Sequence, residues 1–386
     1  MPDRNTDGVQ GSVAGGFEAV REAFEASLAE ERHGHSAQLA AYVDGQQVVD
    51  LWGGPGIAGD SLTGVFSSTK GAAHLVVALL VQEGALELDK AVRHYWPEFG
   101  AEGKENITLR DLLAHRAGLI GVEGGFTAQE IADDRAIAER LAGERPYWRP
   151  GASFGYHAYV IGALTGEIVR RATGQTMQQV YEARVRAPYG IDFYMGLPED
   201  QEHRVLDIQP MDPTPEQKRV LQENAHGPHS MGGVAFNLNH PQPTDLPGLP
   251  NSRAVRAAGP ASVGGMASAR GLARMYAAAI SEVDGKAPLL TAGTAAEFAQ
   301  AHSVGYDLVL RKHNAFGLGF AVSADAYPFL GARAFGHSGA AGSQAFADPS
   351  TGLAFGYNRR RFAYPGGAAP EVAFLAKAVR DCVTGG

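Results

Sequence analysis

The segment from Ser67 to Gly84 constrains the fold more than any other part of the sequence. Apart from Lys70, His74 and the residues at its C-terminal end, it is apolar on every side of a helix. A helix that is apolar all round is buried on all faces, whereas a surface helix carries one apolar stripe. The 386 residues, 45% of them apolar, are enough to enclose such a helix. We therefore expect a globular protein with a large core.

Lys70 stands out in this apolar helix. A lysine at the start of a buried helix loses its hydration, and the cost is met by partners or by deprotonation, which makes the amine a base near neutral pH. Ser67 lies three residues earlier, about one turn away on the same helical face. The helix start would also favour an oxyanion formed beside it. The pair predicts a serine nucleophile with a lysine base, although the motif alone also fits a capping serine and a snorkelling lysine.

The two ends of the chain are predicted to form strands, and the middle is predicted to form helices. An amphipathic helix over 17–31 precedes two strands that flank Asp44-Gly45, a dipeptide typical of tight hairpin turns. A closing helix is predicted over 369–383. Strands are predicted over 38–43, 47–52, 316–322, 343–347 and 353–357, and the central helices over 69–83, 108–115, 156–172 and 268–280.

This order of elements predicts an α+β fold in which one antiparallel sheet, flanked by helices, is assembled from both termini. Residues 1–65 and 300–386 would form the sheet domain, and residues 66–299 an inserted, mostly helical domain. Within the insertion, residues 207–260 are rich in Pro, Gly, Asn and His and show little periodicity. We expect a long loop or lid there, and such loops often shape a binding cleft.

Charge and cysteine content narrow the possible partners. The 33 Lys and Arg against 42 Asp and Glu give a net charge of −9 without a long basic run, which favours small molecules over nucleic acid or membrane surfaces. Cys382 is the only cysteine, so no internal disulfide is possible. The run Met1 to Asp7 is polar and no apolar stretch is long enough to span a membrane, so we expect a cytoplasmic protein. His226 and His229 lack an evident third ligand, and no metal or cofactor is predicted.

Ser153 competes with Ser67 for the role of nucleophile. The run Gly151-Ala152-Ser153-Phe154-Gly155 fits G-x-S-x-G, the nucleophile elbow of α/β-hydrolases. The elbow needs a buried strand directly before the serine, but Arg149-Pro150 stands there, and proline is disfavoured in a central strand. A β-α alternation is also missing. Ser153 is therefore predicted to have a structural role in a turn.

Two further motifs favour Ser67. Tyr156-His157-Ala158 is predicted to open a helix, whose dipole would lower the pKa of the phenol, although a merely packed tyrosine is the alternative. The run from Phe335 to Ala340 is predicted to follow a strand edge, and its glycines let a ligand approach the backbone closely. An N–H from this edge, together with the N–H of Ser67, would form an oxyanion hole with two donors.

Four motifs taken in order resemble those of the serine β-lactamase and penicillin-binding superfamily, and most closely its class C-like carboxylesterases, often called family VIII. They are Ser67-Ser68-Thr69-Lys70, Ile107 to Leu119, Tyr156-His157-Ala158 and His337-Ser338-Gly339. The resemblance covers about 38–379 and implies a sheet domain and a helical domain with the active site in the cleft between them.

The resemblance also implies residue roles. Ser67 would be the nucleophile, Lys70 and Tyr156 would transfer protons, and the amides of Ser67 and Ala340 would bind the oxyanion. The residues themselves suggest further candidates for contact with substrate, which are His337, Ser338, Gly339, His115 and Trp148. The alternative is that the two histidines are structural, hydrogen-bonded residues and that Trp148 packs in the core.

Two positions depart from the β-lactamase pattern. This chain has His337 where β-lactamases usually have lysine, and Ala158 where they usually have asparagine. A neutral imidazole attracts a β-lactam carboxylate less than an ammonium does, and alanine cannot hydrogen-bond an acylamino group. We therefore expect a serine carboxylesterase that hydrolyses short-chain, uncharged esters through a Ser67 acyl-enzyme. A β-lactamase or D-alanyl-D-alanine peptidase is the alternative.

Overall fold

The computed structural model describes residues 8–30 and 34–385. The run Met1 to Asp7, used above for the localisation, and Glu31, the end of the first predicted helix, lie outside the described residues. The strands are β1 (Gln10–Val13), β2 (Ala37–Val43), β3 (Gln46–Gly53), β4 (Thr63–Gly64), β5 (Phe193–Tyr194), β6 (Met266–Ala267), β7 (Ser303–Asp307), β8 (Lys312–Phe316), β9 (Ala321–Val322), β10 (Phe335–Ser338), β11 (Gln344–Asp348) and β12 (Leu353–Arg359).

Helices are concentrated between the two groups of long strands. The α-helices are α1 (Glu18–Glu30), α2 (Thr69–Gln82), α3 (Leu109–Leu113), α4 (Ala128–Ile131), α5 (Asp134–Ala142), α6 (Ile161–Thr173), α7 (Met177–Tyr181), α8 (Ala187–Tyr189), α9 (Pro215–Glu223), α10 (Met231–Ala235), α11 (Arg253–Ala258), α12 (Ala269–Ile280), α13 (Ala292–Ala299), α14 (Ser323–Ala326) and α15 (Val372–Thr384). Within the described ranges, no helix combines the length and the apolar character needed to cross a bilayer.

Strands from both ends of the chain join in one antiparallel sheet. In the described part of the chain its nine strands follow the order β1-β3-β2-β12-β11-β10-β9-β8-β7. The two groups meet where β2 pairs with β12 along their full lengths. The α+β fold with a sheet built from both termini is thereby confirmed, while the exact domain boundaries stay a prediction. A second, small sheet has the order β4-β6-β5.

The hairpin between β2 and β3 turns at the predicted dipeptide. Asp44 and Gly45 both have positive φ, +47° and +78°. Two consecutive residues with positive φ match the right-handed twist of a two-residue hairpin, and Asp-Gly adopts that conformation more readily than most pairs.

The two faces of the sheet are covered by different helices. Side chains alternate along β12, so Phe355 packs with α1 and α15, while its neighbour Ala354 belongs to the core that contains α2 and α12. Strand β11 alternates in the same way, with Phe346 towards α1 and α15 and Ala345 towards α2. The small alanines on the second face let α2 and α12 approach the sheet closely.

Helix α2 is buried as the sequence predicted. From Thr69 to Leu80 every residue is buried, and the helix packs in the same core as α6, α7, α12 and the sheet. This position fixes the first turn of α2 at the junction between the sheet and the helical region, where β10 also ends.

Three predicted elements differ from the structure. The strand predicted over 316–322 is broken, because β8 ends at Phe316 and β9 begins at Ala321. The helix predicted from Tyr156 begins at Ile161. Residues 207–260 are not one long loop, since α9, α10 and α11 all lie within them.

Candidate active site

Ser67 lies in a tight turn that leads into α2. The turn is a 3₁₀-helix over Phe66–Ser68, and Phe66 before the serine has φ +46°. Positive φ is unfavourable for a bulky side chain, and such strain persists only where the surrounding structure enforces it. Here the ring of Phe66 is fully buried against Phe362, with 5.8 Å between ring centroids. The strained backbone at Phe66 thus places Ser67 directly before the start of the rigid helix α2.

The turn is held against the end of β10. The Ser68 hydroxyl donates to the carbonyl of His337 (3.2 Å), and Ser343 donates to the carbonyl of Val65 (3.1 Å). Gly339 follows β10, and a Cβ at this position would lie 2.1 Å from the carbonyl oxygen of Val65. Only glycine permits this approach, which places the backbone after His337 beside Ser67.

Lys70 is fully buried one turn after Ser67. Its Nζ lies 3.1 Å from Ser67 Oγ, donates to the carbonyl of Ser262 (2.9 Å) and sits 5.0 Å from the ring centroid of Tyr156. In the described part of the chain no carboxylate pairs with it. Burial therefore lowers the pKa of Lys70 well below its ordinary value, because the charged form is deprived of water. This shift favours the neutral amine, the form that can accept a proton from the serine.

Tyr156 approaches Ser67 from an irregular segment before α6. Two predictions about this residue are wrong: that it begins a helix, and that the helix dipole lowers the pKa of its phenol. The residue is not at a helix start, and burial raises the pKa of Tyr156, with a hydrogen bond to the Ser67 side chain only partly opposing the rise. The phenol is consequently a proton-bearing group across the neutral range.

Three consecutive amides around Tyr156 are held by distant residues. The N–H of Gly155 donates to the carbonyl of His115 (3.1 Å), and the N–H of His157 donates to His115 Nδ1 (3.1 Å). Between them, the N–H of Tyr156 donates to Asp307 Oδ1 (3.2 Å). His115 and Asp307 are fully buried, so the non-helical segment is rigid without helical hydrogen bonds.

Four buried histidines surround the serine, lysine and tyrosine. Burial lowers the pKa of His157 to about 4. Burial and the nearby Lys70 lower the pKa of His74 and of His337 to about 3. His115 shifts in the same direction, chiefly by burial and secondarily through the other histidines. All four rings are neutral at pH 7, so they add apolar bulk rather than positive charge around Lys70.

Ser67 opens into a cavity of about 370 Å³. Tyr156, His337, Ser338, Gly339 and Ala340 line it on one side. The other walls come from the 207–260 segment, the turn before β8, strands β8 and β9, and the segment after β12. They are His226, Phe236, Leu246, Leu310, Lys312, Asn314, Phe316, Ala321, Phe362, Pro365, Gly366 and Gly367.

The open edge expected near His337 is present. Strand β10 pairs with β11 along its whole length but with β9 only at Phe335 and Gly336. His337 and Ser338 therefore have a free sheet edge on the cavity side. Beyond them, the N–H of Ala340 donates to no acceptor among the described residues, and it is the predicted second donor of the oxyanion hole. His337 donates from Nδ1 to the carbonyl of Ser338 (2.8 Å), which leaves Nε2 as an acceptor.

Two predicted substrate contacts lie behind the cavity rather than in it. His115 and Trp148 are absent from its lining. The His115 ring packs on Tyr156, with 5.4 Å between centroids, and Trp148 packs edge-on against His157 at 5.9 Å. His115 thus contacts Tyr156 directly, and Trp148 contacts its neighbour His157. Bulky rings packed behind an irregular segment fix the position of that segment.

Ser153 is separate from these groups. It lies in the turn before Tyr156, does not line the cavity, and its hydroxyl makes no hydrogen bond within the described ranges. No lysine or histidine activates it there. In the same described residues, no group of three or more His, Cys, Asp or Glu side chains is arranged to hold a metal ion.

Asp307 and Lys312 are site residues that sequence reasoning missed. Asp307 ends β7 and Lys312 begins β8, and the two are register partners. The alternation of Lys312, Asn314 and Phe316 is a strand pattern in the sequence, but the predicted strand began only at residue 316. An earlier start would have placed all three on one face.

The chain is similar to known proteins over nearly its whole length. Residues 20–378 match the family model described as Beta-lactamase. The chain is 33% identical over 371 residues to "Esterase/beta-lactamase LipL" of Mycobacterium tuberculosis (strain ATCC 25618 / H37Rv), covering 90% of this chain and 82% of that protein. Among solved structures, EstA from Arthrobacter nitroguajacolicus Rue61a has a TM-score of 0.89 at 44% identity, with 100% of this chain and 99% of that chain covered. A family VIII carboxylesterase has a TM-score of 0.86 at 31% identity, with 97% and 99% covered.

Proposed function

The chain belongs to the beta-lactamase family, and from that premise we propose that it is a carboxylesterase that hydrolyses short-chain esters through an acyl-enzyme on Ser67. Relatives over nearly the whole chain are named as esterases or carboxylesterases, and the chain is a serine hydrolase. The observation that carries the proposed mechanism is the distance of 3.1 Å between Ser67 Oγ and a fully buried Lys70 Nζ.

In the first step Ser67 attacks the ester carbonyl. Its hydroxyl proton passes to the neutral amine of Lys70 as the bond from Oγ to the carbonyl carbon forms. Lys70 suits this role because burial lowers its pKa, whereas burial raises the pKa of Tyr156 and keeps the phenol protonated. We therefore assign Lys70 as the base, a choice that the sequence left open.

The negative charge of the tetrahedral intermediate moves to the former carbonyl oxygen. The N–H groups of Ser67 and Ala340 would bind it, and the free amide of Ala340 supports this role. When the intermediate collapses, the bond to the alcohol oxygen breaks. Tyr156 gives its phenolic proton to the leaving alkoxide and recovers one from Lys70.

Hydrolysis of the acyl-enzyme repeats these steps with water. Lys70 takes a proton from a water molecule through Tyr156, the hydroxide adds to the acyl carbon, and Ser67 leaves as the alkoxide and is reprotonated. The carboxylic acid is released, and the three side chains return to their starting protonation states.

The alternative, a β-lactamase or D-alanyl-D-alanine peptidase, would use the same three groups. His337 opposes it, because burial and Lys70 lower its pKa to about 3 and the ring is neutral where a β-lactam carboxylate would need a cation. Ala158 is buried and offers no amide to an acylamino group.

Paired serine variants test the proposal. Ser67→Ala is expected to lower kcat/KM for 4-nitrophenyl acetate by more than about 1,000-fold, because Ser67 supplies the one hydroxyl that is hydrogen-bonded to Lys70 among the described residues. Ser153→Ala, the matched control, is expected to retain most of the activity. Loss of activity in Ser153→Ala with retention in Ser67→Ala would overturn the assignment.

Substrate panels with the wild-type protein test the reaction class. Acetyl, butyryl and octanoyl esters of 4-nitrophenol are compared with nitrocefin under the same conditions. Faster turnover of the short esters supports a carboxylesterase, and faster turnover of nitrocefin supports the alternative.

A further inference from the structure

One face of strand β8 forms a wall of the cavity that grades from apolar to charged. Lys312, Asn314 and Phe316 alternate along the strand with a two-residue period, and all three line the cavity. Phe316 is buried and stacks on Tyr156, with ring planes 4° apart and centroids 5.9 Å apart. Lys312 is exposed at the other end of the strand, with its Cα about 14 Å along the strand from that of Phe316.

A second feature of this wall is the environment of the Lys312 ammonium. Among the residues that the structure describes, it makes no hydrogen bond or ion pair, and no Asp or Glu lines the cavity. The next residue back, Arg311, is also exposed and donates to the carbonyl of Asn224. Among the described residues, Lys312 is the one Lys or Arg that lines the cavity, because Arg311 does not. The carboxylate of Asp307 is fully buried behind this wall, where it accepts hydrogen bonds from the Asn314 side chain and the N–H of Tyr156. An exposed ammonium at the rim of such a cavity attracts anions.

The direction of this wall identifies the part of the substrate that it contacts. In the proposed mechanism Tyr156 protonates the leaving alkoxide, so the alcohol portion of the ester lies beside Tyr156. Phe316 is stacked on that tyrosine, and the strand leads from Phe316 outward to Lys312. The alcohol portion therefore extends along β8.

We propose that the preferred esters have an apolar or aromatic alcohol portion that carries a carboxylate at its far end, bound by Lys312. Phe316 contacts the apolar part, and Asn314 lies between the two. This inference rests on the proposed function and narrows its substrate class. The expectation of uncharged esters follows from the neutral ring of His337, at one end of the cavity. The carboxylate proposed here binds at the other end, beside β8.

A pair of substrates that differ only in charge tests the proposal. The acetyl ester of 3-(4-hydroxyphenyl)propanoate carries the carboxylate on its alcohol portion, and the primary amide of the same compound is neutral and has no second ester bond. The measured quantity is the ratio of kcat/KM for the charged substrate to that for the neutral one. Comparing this ratio between variants cancels differences in intrinsic ester reactivity.

Lys312→Gln is expected to lower the ratio by about two- to fivefold, the range for one solvent-exposed ion pair. Lys312→Glu lowers it further, because attraction becomes repulsion. Lys218→Gln is the matched control: Lys218 is also exposed and without a partner in the described part of the chain, but it does not line the cavity. Its ratio is expected to equal that of the wild type. Addition of 0.5 M NaCl to the wild type is expected to move the ratio towards that of Lys312→Gln.

Equal ratios in the wild type and both Lys312 variants would overturn the inference. That outcome is distinct from failure of the proposed function, in which neither ester is hydrolysed in a Ser67-dependent manner. A ratio that also falls in Lys218→Gln would mean that overall charge, and not Lys312, attracts the anion, and it would overturn the inference as well.

Discussion

The pKa of His74 tests quantitatively how completely water is excluded from the interior around Lys70. It lies one turn after Lys70 in α2, is fully buried, and packs edge-on against Phe320 with 6.1 Å between centroids. Burial, with Lys70 as a second cause, lowers the pKa of His74 to about 3. The substitution His74→Leu removes this titrating group and keeps an apolar side chain in its place.

The sign and size of the effect follow from proton binding in the two states. The ordinary pKa of histidine is 6.5, so between pH 6.5 and about 3 the unfolded chain binds a proton at His74 that the native protein does not bind. The contribution of neutral His74 to the free energy of unfolding is fully present above pH 6.5. Below pH 6.5 this contribution falls by about 1.4 kcal/mol per pH unit. From pH 7 to pH 5, His74 alone therefore lowers the free energy of unfolding by about 2 kcal/mol.

Urea unfolding followed by circular dichroism at pH 7 and pH 5 measures this difference. The wild type is expected to lose about 2 kcal/mol more stability between the two pH values than His74→Leu does. Leu79→Ala is the control, since a cavity in the same helix lowers stability at both pH values without changing their difference. Equal losses in the wild type and His74→Leu would refute the claim that the native protein holds this imidazole neutral.

Three other substitutions probe the remaining parts of the site. Lys70→Met removes the base and is expected to lower kcat/KM for 4-nitrophenyl acetate by about 100- to 10,000-fold, with an unchanged or higher melting temperature; substantial residual turnover would exclude Lys70 as the base. Asp307→Asn keeps an acceptor for the N–H of Tyr156 but removes a negative charge that raises the pKa of that phenol. Because Tyr156 gives its proton to the leaving alkoxide, the variant is expected to keep kcat within about threefold of the wild type at pH 7, and a fall of more than about tenfold would show that the charge of Asp307 is needed as well as its acceptor oxygen. Gly339→Ala places a Cβ 2.1 Å from the carbonyl oxygen of Val65; kcat is expected to fall at least about tenfold, and wild-type kcat would show that the approach of β10 to Ser67 is dispensable.

The parts of the fold that depend on local pattern were predictable from the sequence. The buried helix α2 follows from an apolar run with one lysine, and the β2–β3 hairpin follows from Asp44-Gly45. The strands at both termini gave the correct class of fold, because period-two alternation is a property of neighbouring residues.

The elements that were predicted wrongly depend on contacts with residues far away in the sequence. Tyr156 was predicted to be helical, but its segment is held by His115 and by Asp307, which lies 151 residues away in the chain. The strand predicted over 316–322 is interrupted at Gly319, where a Cβ would lie 2.3 Å from the His74 ring. Neither contact is visible in the local sequence.

The start of helix α9, within the segment predicted to be a loop, is signalled in the sequence itself. Helix α9 begins with a capping box in which Thr214 and Gln217 cap each other's backbone, and Pro215 occupies its first turn. This combination indicates the start of a helix, even though the segment as a whole is rich in Pro and Gly, a composition typical of loops. The segment contributes His226, Phe236 and Leu246 to the cavity.

The assignment of Ser67 as the nucleophile is tested most directly by covalent labelling. The native protein is treated with a fluorophosphonate and digested, and the modified peptide is identified by mass spectrometry. The account predicts one phosphonyl group on the peptide that contains Ser67, and no label on this peptide in Lys70→Met over the same time. Label on the peptide that contains Ser153, or on Ser67 at an equal rate without Lys70, would contradict it.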